Sequence, residues 1–218
     1  MGEEYEKAGR KTLTRSLEDL DIVAVFIDGK RLGKLGVVVA LGVGTDGRKY
    51  VTGIFQSSTE NSAACRGLLD DLEARGLPER DVLFVVDGGS RLNKALSEKY
   101  QINNPENRRA YRVRCFIHKC RNIEDVLDEK GKQEAAPLDW AIRDERDVTV
   151  AKSCSEALED CLKRHNVPSL NSYVEAEDDL LAVHRLAIGG NLRKFFSSTN
   201  PIESLNYLLE EDMRRVKM

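Results

Sequence analysis

Two aspartates stand where carboxylate chemistry is easiest to build. Asp28 follows the apolar run Ile22–Ile27, Asp87 follows the apolar run Val82–Val86, and each is followed directly by glycine. A continuous apolar run suits a strand covered on both faces, and the glycine after it lets the backbone turn and leaves the carboxylate uncrowded. If the two strands are neighbours, the carboxylates converge. Two such anions repel, whereas a divalent cation between them keeps both ionised. Hard oxygen ligands favour Mg²⁺ or Mn²⁺ over zinc, and sites of this kind recruit a further carboxylate, for which Glu203 is the natural candidate. At about 100° per residue, Glu203, Asn206 and Glu210 share the edge of a terminal helix, beside its apolar stripe of Ile202, Leu205, Leu209, Met213 and Val216. Each residue alone has a simpler reading: Asp-Gly is a common turn dipeptide, and Glu203 stands at capping-box spacing from Asn200. Two strand-end aspartates together favour the metal.

The elements that must position these residues follow from the pattern. Residues 22–27, 34–44 and 48–56 read as an antiparallel meander whose last two strands are joined by Thr45-Asp46-Gly47-Arg48, a strong hairpin signal. A helix over 60–75 opens at Ser57-Ser58-Thr59, places Ala64, Leu68, Leu69 and Leu72 at helical spacing, and stops at Gly76 before Pro78. The strand over 81–87 leads into a helix capped by Ser90 and carrying Leu92, Ala95 and Leu96. Residues 111–117 alternate, with Tyr111, Val113, Cys115 and Ile117 on one side and Arg112 and Arg114 on the other, as in a half-exposed strand. No strand is expected over 118–196. Ala151, Cys154, Leu158, Cys161 and Leu162 form one helical stripe there, Leu180, Leu181, Val183, His184 and Leu186 another, with Pro168 between them, and 128–137 is the expected flexible stretch. The last helix opens at Ser197-Ser198-Thr199-Asn200-Pro201, with Asn200 as N-cap and Pro201 at the first helical position. This order predicts an α/β fold, a mixed sheet flanked by helices.

Other groups have weaker chemical readings. Cys115, His118 and Cys120 resemble part of a zinc site, but no fourth ligand stands at suitable spacing. Gly42, Gly44 and Gly47 match a dinucleotide fingerprint in letters only, since they enter a hairpin and not a helix. Trp140, the one tryptophan, and His165 and His184 read as packing or helix-surface residues. The stretch 108–121 holds Arg108, Arg109, Arg112, Arg114, Lys119 and Arg121 and no acid, which in an acidic protein points to a phosphate backbone more than to a solvated face; Lys30, Arg31 and Lys34 add to it.

Composition bounds the function classes. At 218 residues, with 41% apolar and 33% charged residues, the chain can build one principal core. No apolar stretch approaches the roughly 18 residues needed to cross a bilayer. The first twenty residues lack the apolar centre of a secretory signal, and five cysteines cannot all pair, so reduced thiols and a cytoplasmic location are expected. The net charge of −3 supplies no global basic field, so a polyanion must be held by a local patch or a metal.

Taken in order, Asp28-Gly29-Lys30, Val39-Ala40-Leu41-Gly42-Val43, Ser58-Thr59-Glu60-Asn61, the run 68–77, Asp87-Gly88-Gly89, the run Arg114–Asn122 and the run Ser198–Asn206 resemble the Mutator-type transposases of bacterial insertion sequences over roughly residues 20–217. The resemblance implies a ribonuclease H-like core with an all-helical insertion before the last acidic residue: a lead segment 1–20, the first part of the core 21–122, the insertion 123–196 and the completing helix 197–218. It maps the family's catalytic acidic triad onto Asp28, Asp87 and Glu203, and its Cys-x-x-His signature, placed beside the active site, onto Cys115 and His118. Asn200 and Asn206 are expected to support that site. The implied chemistry uses two Mg²⁺ or Mn²⁺ ions roughly 3.5–4 Å apart for in-line phosphodiester cleavage and strand transfer. The implied partners are DNA, as transposon ends and target, and further copies of the chain; Lys30, Arg108, Arg109, Arg112, Arg114, His118, Lys119 and Arg121 are the expected DNA contacts. Family members carry a helical DNA-binding region before the first aspartate, where this sequence has 27 residues, so a catalytic core without specific end recognition is expected. Two alternatives stand beside it: a non-catalytic DNA-binding or dimerising remnant, and a generic metal-dependent nuclease.

Overall fold

The computed structural model describes residues 14–32, 35–57 and 62–216. Lys34, the Ser58–Asn61 motif and most of the expected helix start at 57–59 lie outside the described residues, as do the side chains of Arg31, Met213 and Val216. The chain divides into two compact units, one running to Tyr111 and resuming at Thr199, the other spanning Arg112–Ser198.

The first unit is built on a sheet of strands β1 (Ile22–Leu32), β2 (Leu35–Gly44), β3 (Lys49–Ser57), β4 (Val82–Val86) and β5 (Ala110–Arg114), in the order β3-β2-β1-β4-β5. The first three form the antiparallel meander expected from the hairpin signal, turning through Gly47 at φ 77°. β4 joins β1 in parallel, with Ala24 opposite Leu83 and Ile27 opposite Val86. Helices α1 (Ser62–Ala74) and α2 (Ser90–Tyr100) connect the strands. They cover the sheet face carrying Val25, Ile27, Phe84 and Val86 with Leu68, Leu69, Leu72, Leu92 and Leu96. Each of these leucines is at most 3% exposed, so its burial contributes about 1.5–3 kcal/mol. Side chains alternate along a strand, so Asp28 lies on the opposite face from Ile27. The last helix of the unit, α10, spans Asn200–Val216.

Past the end of β5 the second unit is helical, with no strand over 118–196, as the sequence predicts: α3 (Phe116–Glu124), α4 (Glu129–Asp144), α5 (Val148–His165), α6 (Val167–Val174), α7 (Glu177–Leu180), α8 (Ala182–Arg185) and α9 (Gly190–Phe196). Its core gathers Phe116, Ile123, Ala135, Ile142, Leu158, Cys161, Leu162 and Tyr173. The unit begins inside β5, not at residue 123, because Phe116 and Ile123 already belong to this helical core. β5 itself ends at Arg114, where the expected strand ran to Ile117; Cys115 is the residue before α3. The stretch 128–137 forms a helix instead of a flexible loop. The Asp128 carboxylate accepts the Gly131 N–H at 2.7 Å and caps it, and Ala135 and Ile142 bury its inner face despite Pro137 in its interior. Asp147 and Asn166 cap α5 and α6 in the same way. Among the described residues no helix is long and apolar enough to cross a membrane.

Candidate active site

The register of β1 and β4 decides where the two strand-end aspartates go. Ile27 and Val86 are the last matched pair of these parallel strands, and Asp28 and Asp87 are each one step beyond it. Neighbouring strands lie about 4.7–4.9 Å apart, so two residues distant in sequence become neighbours at the end of the pairing. Asp28 continues within β1, opposite Val39 of β2. Asp87 leaves β4 in a turn: its Oδ1 accepts the Gly89 N–H at 3.0 Å, and Asn93 Nδ2 donates to the Gly88 carbonyl at 2.9 Å. Gly88 has φ 104°, a conformation open to glycine and rarely to other residues.

Helix α10 is fastened to β1 at two points. Asn206 Nδ2 donates to Asp28 Oδ2 at 2.6 Å, and Lys30 Nζ pairs with Glu210 Oε2 at 3.0 Å. Two strand residues advance about 6.6–6.8 Å and four helix residues about 6.0 Å, so helix and strand run side by side in matched steps. Asn206 is 2% exposed, and its Oδ1 has no hydrogen-bond partner among the described residues. The Asp28 carboxylate accepts and does not donate when ionised, which sets the amide with Nδ2 toward it and Oδ1 away. Glu203 stands three residues, about 4.5 Å of helix rise, before Asn206. Its Oε1 accepts the Thr199 hydroxyl at 2.6 Å, and its N–H donates to the Thr199 carbonyl at 3.0 Å. Glu203 therefore closes on Thr199. Asn200, the expected cap, is instead the first residue of the helix and is exposed. The signal that sequence reasoning missed is the four-residue spacing of Thr199 and Glu203.

Asp28 and Asp87 carry oxygen donors of the kind that suits a hard divalent cation. Among the described residues, the one set of three acidic, histidine or cysteine ligand atoms lying within 4.8 Å of each other is in the helical unit, so the carboxylates of Asp28, Asp87 and Glu203 stand farther apart than that.

The basic stretch divides in two. Arg112 Nε pairs with Asp179 at 2.7 Å, Arg114 Nη1 pairs with Glu175 at 2.7 Å, and Lys119 Nζ donates to the Ser172 carbonyl and hydroxyl at 2.9 and 3.1 Å. Burial, together with the nearby Arg114, holds the Lys119 ammonium below its ordinary range. Burial opposes the charge on Glu175, but Arg114 and Lys119 win and hold its carboxyl below the usual range. The expectation that all six bases face a phosphate backbone is thus corrected: these three are at most a tenth exposed and hold the second unit together. Two arginines two apart on a strand matched an Asp and a Glu four apart, a pattern present in the sequence but hidden by their separation. Arg108 and Arg121 are exposed, Arg108 lying 5.4 Å from the Tyr111 ring, while Arg109 is partly engaged with the Lys99 carbonyl and the Tyr100 ring. Cys115 is buried, His118 half-buried, and the ligand atoms of Cys115, His118 and Cys120 do not gather within 4.8 Å.

A sequence model described as "Transposase, Mutator family" matches residues 11–218. The chain belongs to the Mutator family. Among its relatives, this Mutator-family chain is 26% identical over 207 residues to the transposase for insertion sequence element IS6120 of Mycolicibacterium smegmatis, covering 92% of this chain and 61% of that protein. It is 32% identical over 183 residues to the transposase for ISRM5 of Rhizobium meliloti, covering 82% and 42%. It is 26% identical over 210 residues to the transposase for IS905 of Lactococcus lactis, covering 92% and 50%. The chain spans about half the length of the curated relatives it matches.

Proposed function

We propose that this chain is the catalytic core of a DNA transposase with a ribonuclease H-like fold, in which Asp28, Asp87 and Glu203 hold Mg²⁺ or Mn²⁺ and DNA phosphodiesters are cut and rejoined. One observation carries the reading: parallel pairing of β1 with β4 ends at Ile27 and Val86, so Asp28, still within β1, and Asp87, just past β4, each stand one residue beyond the last matched pair. Family membership supplies the substrate class, DNA as transposon ends and target. Bound cations would supply an activated water or 3′-hydroxyl and stabilise the leaving oxygen.

The chain's own residues do the positioning. β1 carries Asp28 and the turn at Gly88 carries Asp87, and Asn206 orients Asp28 through one carboxylate oxygen. Glu203, whose Oε1 accepts the Thr199 hydroxyl, would be the third residue to hold a bound cation. Lys30, Arg108, Arg109, Arg121 and His118 contact phosphates in this reading, and the protein acts in the cytoplasm as a homo-oligomer. A second reading, a DNA-binding or dimerising protein without cleavage, draws on the Thr199–Glu203 bond, which occupies the third carboxylate.

Incubation of the protein with supercoiled DNA in Mg²⁺ or Mn²⁺ tests both. Metal-dependent nicking that an Asp87→Asn variant loses is expected, and joined strand-transfer products separate a transposase from a generic nuclease. DNA binding with no nicking in either metal would overturn the catalytic reading.

A further inference from the structure

Three ligand-bearing side chains of the helical unit converge without any role in the site described above. Cys161 and His165 stand one turn apart on the same face of α5, and Glu134 reaches them from α4. Their ligand atoms all lie within 4.8 Å of one another. His165 Nε2 is 3.1 Å from Glu134 Oε2. At zinc–nitrogen and zinc–oxygen distances of about 2.0–2.1 Å, the edge between two ligands of a tetrahedral site is about 3.3 Å, so this pair already has coordination spacing.

His165 Nδ1 faces Asp128 Oδ1 at 3.7 Å, which places a carboxylate on the Nδ1 side of the ring beyond direct hydrogen-bond reach. Asp128 is itself held by capping α4 through the Gly131 N–H at 2.7 Å. The ring lies on Gly131, where an added Cβ would meet His165 Cγ at 3.3 Å and Asp128 Oδ1 at 3.0 Å. Cys161 is 1% exposed and the His165 side chain 12%, while the Glu134 side chain is 37% exposed and gives an ion a way in. Lys130 and Arg164 approach Glu134 at 3.9 and 3.1 Å from the solvent side, and both are mostly exposed, so these are weak pairs that a cation displaces.

We propose that Glu134, Cys161 and His165 form a zinc site that clamps α4 to α5, with water as the fourth ligand. The mixed sulfur, nitrogen and oxygen donors select a borderline-soft ion such as Zn²⁺ over Mg²⁺. On binding, the Cys161 thiol proton leaves to solvent and the thiolate bonds the metal. This site is separate from Cys115, His118 and Cys120, the cysteine–histidine group that the sequence singled out.

The test is metal titration of the intact chain, stripped with chelator, using Zn²⁺ and the spectroscopic probe Co²⁺. One equivalent should bind, with a thiolate-to-cobalt charge-transfer band and a raised unfolding temperature. Cys161→Ser should abolish the band, and His165→Gln and Glu134→Gln should each weaken binding at least tenfold, while Cys115→Ser leaves both unchanged. Glu134→Gln alters a partly exposed side chain, so it reports on binding even if a buried variant folds poorly. No binding, a band lost in Cys115→Ser in place of Cys161→Ser, or full affinity in Glu134→Gln would overturn the proposal.

Discussion

The Asn206 amide donates to the Asp28 carboxylate at 2.6 Å, tying the last helix to the first strand across 178 positions of sequence. With Lys30–Glu210 one step further on, it sets the height at which Glu203 stands beside the sheet.

Replacing Asn206 therefore tests positioning apart from metal binding. Asn206→Ala removes a charge-assisted donor and should cost about 1–3 kcal/mol of stability, with a fall in nicking. Asn206→Asp sets two carboxylates against each other and raises a pKa in the folded chain. The folded state then binds the extra proton, so the variant should be most stable at acid pH and lose stability as pH rises through the raised value. Urea unfolding at acid and neutral pH reads the difference.

Gly88→Ala places a Cβ on a residue at φ 104°. Strain of about 1–3 kcal/mol is expected, and relaxing it moves the turn that holds Asp87. Nicking should fall further than stability does; equal nicking rates for variant and wild type would detach the Gly88 turn from function.

Arg112 and Asp179 are both about a tenth exposed at their side chains. Burial pushes the Asp179 carboxyl above its ordinary value, with Arg112 pulling against it. Arg112→Ala leaves that carboxylate buried and unpaired, which costs roughly 3–5 kcal/mol at neutral pH. A raised folded pKa means that stability is full below the ordinary value and is lost as pH rises through the raised one, so the deficit should shrink in acid. Salt dependence of DNA binding should be unchanged, because the Arg112 side chain is buried against Asp179.

Asp139 is 5% exposed, and burial pushes its carboxyl up to about 7. Its contribution to stability is full below its ordinary 3.8 and is lost as pH rises toward 7. Asp139→Asn cannot ionise, so its stability should stay flatter over that interval; thermal unfolding across the pH series checks it.

Much of the fold was legible locally. The apolar runs ending at Ile27 and Val86, the Asp46-Gly47 turn and the stripe from Ala151 to Leu162 declare strands, hairpin and helix through periodicity and turn chemistry. At 128–137, Gly131 and Pro137 suggested a loop. A cap from Asp128 and burial of Ala135 and Ile142 made it a helix.

What the sequence by itself determined is where strands and helices run and which faces turn inward, because side-chain type and spacing act within a few residues. Only the tertiary structure decided partners: Ile27 opposite Val86, Asn206 on Asp28, Arg112 on Asp179, and Cys161 and His165 facing Glu134. The reason is that hydrogen bonds and ion pairs depend on strand register and helix packing. Those are settled by contacts between segments far apart along the chain, and no local pattern records them.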